Sequence, residues 1–154
     1  MEEILPPQTE SGAGFEPVGV RQFTVFMENR VGRLQSLVGT YERRAGRILG
    51  LSIQNQADTA LVRIICSDPD LARKVLQEEE FGFAEQELLV VELPKGPQPL
   101  SSVCTAIVAA ELNIHYAYPL LVRPGGPALA IYPDDLLLAA QLLIKKGFTL
   151  LGES

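Results

Sequence analysis

The residues best suited to chemistry fall in one short run, Glu28-Asn29-Arg30-Val31-Gly32-Arg33-Leu34. The chemistry they offer is recognition rather than turnover. Asn29 donates and accepts hydrogen bonds, which suits the amino and carboxylate groups of an amino acid. Gly32 has no side chain, so a ligand can approach the backbone closely. Arg30 and Arg33 add positive potential. With a strand ending at Glu28 and a helix starting near Gly32, the first helical N–H groups lack intrahelical partners. Together with the positive end of the helix dipole, they favour a carboxylate. A plainer reading stands beside this one: Asn29 as a helix cap, and Gly32 as a point of close helix-on-sheet packing.

Other reactive residue types do not assemble into a catalytic set. His115 is the single histidine and reads as structural. In Ile114-His115-Tyr116-Ala117-Tyr118, strand alternation puts Tyr116 and Tyr118 on one face and His115 on the other. The two tyrosines are candidates for a secondary pocket or for cross-strand packing. Cys66 and Cys104 each sit in an apolar stretch and read as small core residues, free thiols in a reducing compartment. Asp68, Asp70, Asp134 and Asp135 read as helix caps. No nucleophile–base arrangement, zinc-ligand spacing or phosphate-binding glycine loop is evident, so the chain is read as a non-enzyme without metal or cofactor.

The elements that must position these residues repeat themselves. Residues 1–20 are rich in proline and glycine and read as a flexible tail. From there, residues 22–28 are strand-like, and Leu34, Leu37, Val38, Tyr41 and Ala45 fall at helical spacing. Two more strands follow at 47–54 and 60–66. Asp68-Pro69-Asp70 then opens a helix that runs to about Glu80. A long strand-like stretch covers 83–93. Shifting the chain by about 66 residues places Phe23 on Leu89, Leu34 on Leu100, Ser36 on Ser102 and Ile48 on Ile114. After one added residue, Ala72 falls on Ala139, Val75 on Leu142 and Phe81 on Phe148. The second copy reads as strand 88–93, helix 100–112, strands 114–122 and 128–132, helix 134–146 and strand 148–151. The order βαββαβ, twice, predicts an α+β protein with two units, 21–87 and 88–154. In each, two helices lie on one face of an antiparallel sheet. With no linker between them, the units are expected to be rigidly coupled.

Bulk properties narrow the function classes. Hydrophobic residues make up 47% and charged residues 21%, a globular balance. The net charge of −6 and the pI near 4.8 argue against a general attraction to nucleic acid, as does the lack of an aromatic RNA-binding motif on the sheet. Arg30, Arg33, Arg43, Arg44 and Arg47 cluster around the first helix, either as a solvated basic face or as an attractor for an anionic ligand or acidic partner. No apolar run is long enough to span a membrane, and the N-terminus lacks a signal-peptide pattern, so a cytoplasmic address is expected.

With the repeat in place, the loop at 28–34 resembles the strand–helix signature of ACT domains, an E-N-x-x-G-x-L motif in which the helix begins at the glycine. Residues 47–53, with I-x-x-L-x-I spacing, are similar to that family's second strand. The resemblance covers 21–154. In the second copy the loop is Pro94-Lys95-Gly96-Pro97-Gln98-Pro99-Leu100, where Gln98 stands for Gly32 and Lys95 for Asn29. The resemblance implies two tandem ferredoxin-like ACT units and regulation by a small ligand, usually an amino acid, bound between paired units. Asn29, Arg30, Val31, Gly32, Arg33 and Leu34 would form the ligand loop. Stand-alone tandem ACT proteins and the regulatory small subunit of acetolactate synthase are both similar. The tandem description is preferred, with a link to branched-chain amino-acid biosynthesis kept open. The alternatives are a non-catalytic synthase subunit that docks on a catalytic subunit, and a ligand-free dimerisation module. Residues 103–110 are apolar around nearly the whole helical circumference, and the last helix repeats the pattern, so a homodimer is expected.

Overall fold

The computed structural model describes residues 7–8, 19–28, 32–121 and 125–152. In chain order the elements are β1 (Pro7–Gln8), β2 (Val20–Glu28), α1 (Arg33–Arg43), β3 (Ile48–Asn55), β4 (Thr59–Cys66) and α2 (Pro69–Glu78). They continue with β5 (Gly82–Glu92), α3 (Pro99–Ala109), β6 (Ile114–Pro119), β7 (Ala128–Pro133), α4 (Leu136–Lys145) and β8 (Leu150–Leu151). Two compact units result: Arg21–Gln86, and residues 87–154 with the described part of 1–20. Strand β5 contributes residues 82–86 to the first and 87–92 to the second.

In the first unit the strands run β5-β2-β4-β3, with β4 antiparallel to both β2 and β3. Alternation along β2 and β4 sends Phe23, Val25 and Met27, and Ala60, Val62, Ile64 and Cys66, to the same side. There they form one core with Leu37 and Tyr41 of α1 and Ala72, Val75 and Leu76 of α2. Each fully buried side chain of this size contributes about 2 kcal/mol. On the other side, Thr24 Oγ1 donates to Gln86 Oε1 at 2.8 Å and Gln22 Nε2 donates to the same oxygen at 3.3 Å.

The second unit repeats the plan. Its strands run β8-β5-β7-β6, all antiparallel, and β1 adds to the outer side of β8 through the Pro7–Leu151 and Gln8–Leu150 pairs. Leu89, Val91, Ile131 and Leu150 pack with Val103, Ala106, Ala139, Ala140 and Leu143 of the two helices. Both units therefore have the ferredoxin-like strand order, and the fold is the α+β tandem that the sequence pattern predicts.

The helix ends repeat as closely as the strands. Asp68 caps α2 by accepting from Leu71 N–H at 3.1 Å, and Asp135 caps α4 by accepting from Leu138 N–H at 3.0 Å. All four helices end in the same two backbone bonds around a left-handed residue. In α2, Phe81 N–H donates to Leu76 O and Glu80 N–H to Gln77 O, while in α4 Phe148 donates to Leu143 and Gly147 to Ile144. The left-handed residues are Ala45, Glu80, Glu111 and Gly147.

Several sequence expectations are corrected. Ala45 does not extend the buried stripe of α1: it is left-handed at φ 66° and exposed, because the helix has already ended at Arg43. Cys66 is buried, but Cys104 is exposed, since Val103 and Ala106 supply the inward stripe of α3. Asp134 and Asp70 are not caps. Asp134 faces His115, and Asp70, in the first turn of α2, pairs with Arg21 at 3.1 Å. The strand expected over 114–122 ends at Pro119, after which Leu120 still donates to Ala128 O.

One contact distinguishes the first unit. Tyr41 crosses from α1 to the start of α2, where its hydroxyl accepts from Asp68 N–H at 3.0 Å and donates to Asp68 O at 3.1 Å. Its ring lies against Gly46, where an added Cβ would come within 2.3–2.5 Å of three ring carbons. Burial pushes the Tyr41 hydroxyl up to about 12, and burial likewise pushes the neighbouring Cys66 thiol up to about 12.

Candidate functional site

The loop at 28–34 lies between β2 and α1, and the structure describes its Glu28, Gly32, Arg33 and Leu34; Asn29, Arg30 and Val31 lie outside the described residues. Gly32 is the residue that opens α1, with φ 98° and ψ −20°, a left-handed conformation that glycine adopts without strain. Gly32 has no side chain with which to cap the helix, and the first turn of α1 carries no acidic residue. Among the described residues, a Cβ at Gly32 would meet nothing within 4 Å. The contrast with α2 is direct, because Asp68 and Asp70 place an accepting carboxylate and a second negative charge at that helix start. The first turn of α1 thus presents the positive end of the dipole with no carboxylate among its own residues.

The flanking residues divide between packing and charge. Leu34 is partly buried against the first core and anchors the loop. Arg33 holds its guanidinium carbon 4.4 Å from the centre of the Phe81 ring, a cation–π contact that keeps the charge beside the loop. The rest of the arginine cluster is partly engaged: Arg44 pairs with Glu78 at 2.6 Å, and Arg43 donates to Thr40 Oγ1 at 3.2 Å. Arg30 lies outside the described residues.

The equivalent place in the second unit is built differently. Gln98 opens α3 with φ −138°, and Pro99 follows at the first helical position. Proline has no N–H, so the loop carrying Pro94, Pro97 and Pro99 has fewer backbone donors to offer an anion than the loop around Gly32.

Tyr116 and Tyr118 come together, with rings 6.4 Å apart and nearly parallel. A third tyrosine that the sequence reading did not single out completes the group: Tyr132 of β7 pairs across the sheet with Tyr116 and stacks on it at 5.1 Å. The register of the β6–β7 pair was the missing signal. A β-bulge between Ile114 and Tyr116 also upsets the simple alternation expected for His115. The His115 ring lies 5.6 Å from Tyr132, and its Nε2 is 2.5 Å from Asp134 Oδ1. Among the described residues, no three His, Cys, Asp or Glu side chains form a group that could hold a metal, and no helix is long and apolar enough to cross a membrane.

Comparison with known proteins bears on this arrangement at the level of family and fold. No curated protein matches the chain. A crystallised protein of Bacteroides thetaiotaomicron is 26% identical, with a TM-score of 0.77 over 86% of this chain and 92% of that one. A protein of Galdieria sulphuraria is 14% identical, with a TM-score of 0.41 over 88% of this chain and 98% of that one. The family described as the ACT domain pair matches residues 18–151, which takes in both repeats and the Gly32 loop. The chain belongs to the ACT domain pair family.

Proposed function

We propose that the chain is a regulatory protein that binds a small molecule, an amino acid by the chemistry of its loop, at Asn29–Leu34. The observation that carries this reading is the start of α1, opened by left-handed Gly32, where an added Cβ would meet no described residue within 4 Å and the first turn holds no acidic side chain. Such a helix end attracts a carboxylate, and Arg33 beside it adds positive charge. Asn29 would complete the recognition by bonding the ligand's amino group. Membership of the ACT domain pair family supports a sensing role over catalysis. The family match is to a pair and spans both repeats, which favours the tandem description over a synthase subunit. The tyrosine group on β6 and β7 is a secondary candidate, and a second copy of the chain is the proposed partner.

Calorimetric titration with branched-chain and other amino acids tests the reading. The wild type is expected to give saturable heat with at least one of them. Gly32→Ala, strained at φ 98°, is expected to lose it while keeping its circular dichroism. No saturable heat with any amino acid would remove the amino-acid form of the proposal.

A further inference from the structure

The outward face of α3 has no role in the reading above. Helix α3 contains no charged residue, whereas the exposed positions of α1 include Glu42 and Arg43 and those of α2 include Lys74 and Glu78. Val108 is 75% exposed and Leu100 51%. Ser101, Cys104, Thr105, Val108 and Ala109 line a shallow, open, largely apolar depression along the helix. Ser101, Cys104, Thr105 and Val108 follow the i, i+3, i+4, i+7 spacing of a single stripe. The spacing of the stripe, though not its residues, is symmetric about its midpoint: reversing it about the Cys104–Thr105 bond exchanges the small Ser101 with the larger Val108.

We propose that this stripe is a two-fold interface with a second copy of the chain, the two α3 helices packing antiparallel. Shape argues for the copy. A two-fold axis between Cys104 and Thr105 sets the protruding Val108 of each chain over the small Ser101 of the other, at both ends of the seam. Charge argues for it as well. The chain carries a net −6, so two copies repel on the whole, while α3 brings no charge that would add to that repulsion or need desolvating. The adjoining helix α4 exposes Leu137 and Leu138, which extends the apolar area beyond a single helix. This inference rests on the homodimer part of the proposed function and gives it a surface; ligand binding does not enter it.

Sedimentation of the full chain, at concentrations up to about 100 µM, tests the seam. The wild type is expected to dimerise. Val108→Glu, at an exposed position that the fold does not need, is expected to weaken the dimer at least about ten-fold with unchanged circular dichroism. Ser101→Val sets valine against valine and also weakens it. The double variant Ser101→Val with Val108→Ser exchanges knob and hole and restores it. Cys104 lies beside its own copy across the axis, so mild oxidation links wild-type chains in pairs and leaves Cys104→Ser unlinked. A monomer throughout the range overturns both dimer and seam. A dimer that ignores Val108→Glu and does not cross-link through Cys104 overturns the seam alone. Both outcomes leave the calorimetric test of ligand binding standing.

Discussion

Gly32 and Gln98 stand 66 residues apart at the same point of the repeat, and neither caps the helix it opens with its own side chain. Asp68 and Asp135, 67 apart, open the other two helices and cap both. The repeat has kept the aspartate-capped starts alike and let the other two diverge. One of these starts holds a left-handed glycine; the other has a glutamine followed by a proline. This difference falls at the loop we propose for the ligand, while the helix starts capped by aspartate are shared. Helix packing diverges in the same direction. Tyr41 and Gly46 in the first unit occupy the places of Ile107 and Leu112 in the second, where two aliphatic side chains pack against the core instead.

The largest effect is expected at Gly46. A methyl group there has no room unless the Tyr41 ring moves, and moving the ring would break both hydrogen bonds to Asp68. Gly46→Ala is expected to cost about 3 kcal/mol by denaturant unfolding, the upper end of overpacking costs. Tyr41→Phe, which keeps the ring and loses the hydroxyl, should cost less, about 1–2 kcal/mol. If Gly46→Ala proves near neutral, the contact between the two helices is not what separates the packing of the repeats.

A second difference appears at high pH. The first unit buries the Cys66 thiol beside Tyr41, while the second unit's cysteine, Cys104, is exposed. The fold holds Cys66 and Tyr41 neutral by raising both to about 12, from 9.0 and 10.0. Their contribution to stability is therefore complete below about pH 9 and is lost as pH rises through about 12. The loss should reach about 2 kcal/mol by pH 10, seen as a lower unfolding midpoint than at pH 8. Cys66→Ala should flatten that decline, and Cys104→Ala should leave it unchanged. Equal declines in the two variants would show that the alkaline sensitivity arises elsewhere.

How much of this was legible in the sequence depended on whether a polar residue marked the solvent side. In α1 and α2 the charges alternate with Leu37, Tyr41, Val75 and Leu76, so the inward faces could be read directly. In α3 no charged residue marked the outward face, its hydroxyl residues were too weak a signal, and Cys104 was assigned to the core. Asp134 and Asp135 are chemically identical, and only the position of the first helical turn shows that Asp135 is the cap. The tyrosine group depended on pairing between β6 and β7, and a one-residue bulge is invisible without the partner strand. The glycine loop was legible because its signal is local: one residue that can be left-handed, placed between a strand and a helix.

The smallest effects test the helix ends, where the repeats agree in conformation but not in residue type. Glu80 and Gly147 stand 67 residues apart, both left-handed, at φ 59° and 92°. Each donates its N–H to a carbonyl three residues back, Gln77 and Ile144 respectively. Glutamate pays a steric cost in this conformation that glycine avoids, partly offset by glycine's greater freedom in the unfolded chain. Glu80→Gly is therefore expected to stabilise by about 0.5–1 kcal/mol, and Gly147→Ala to destabilise by a similar amount. Measured as opposite shifts in the unfolding midpoint, the pair would show that one backbone device ends the helices of both units. If Glu80→Gly destabilises instead, the Glu80 side chain supplies a contact that outweighs its backbone strain, and the two units differ at their helix ends as well as at their loops.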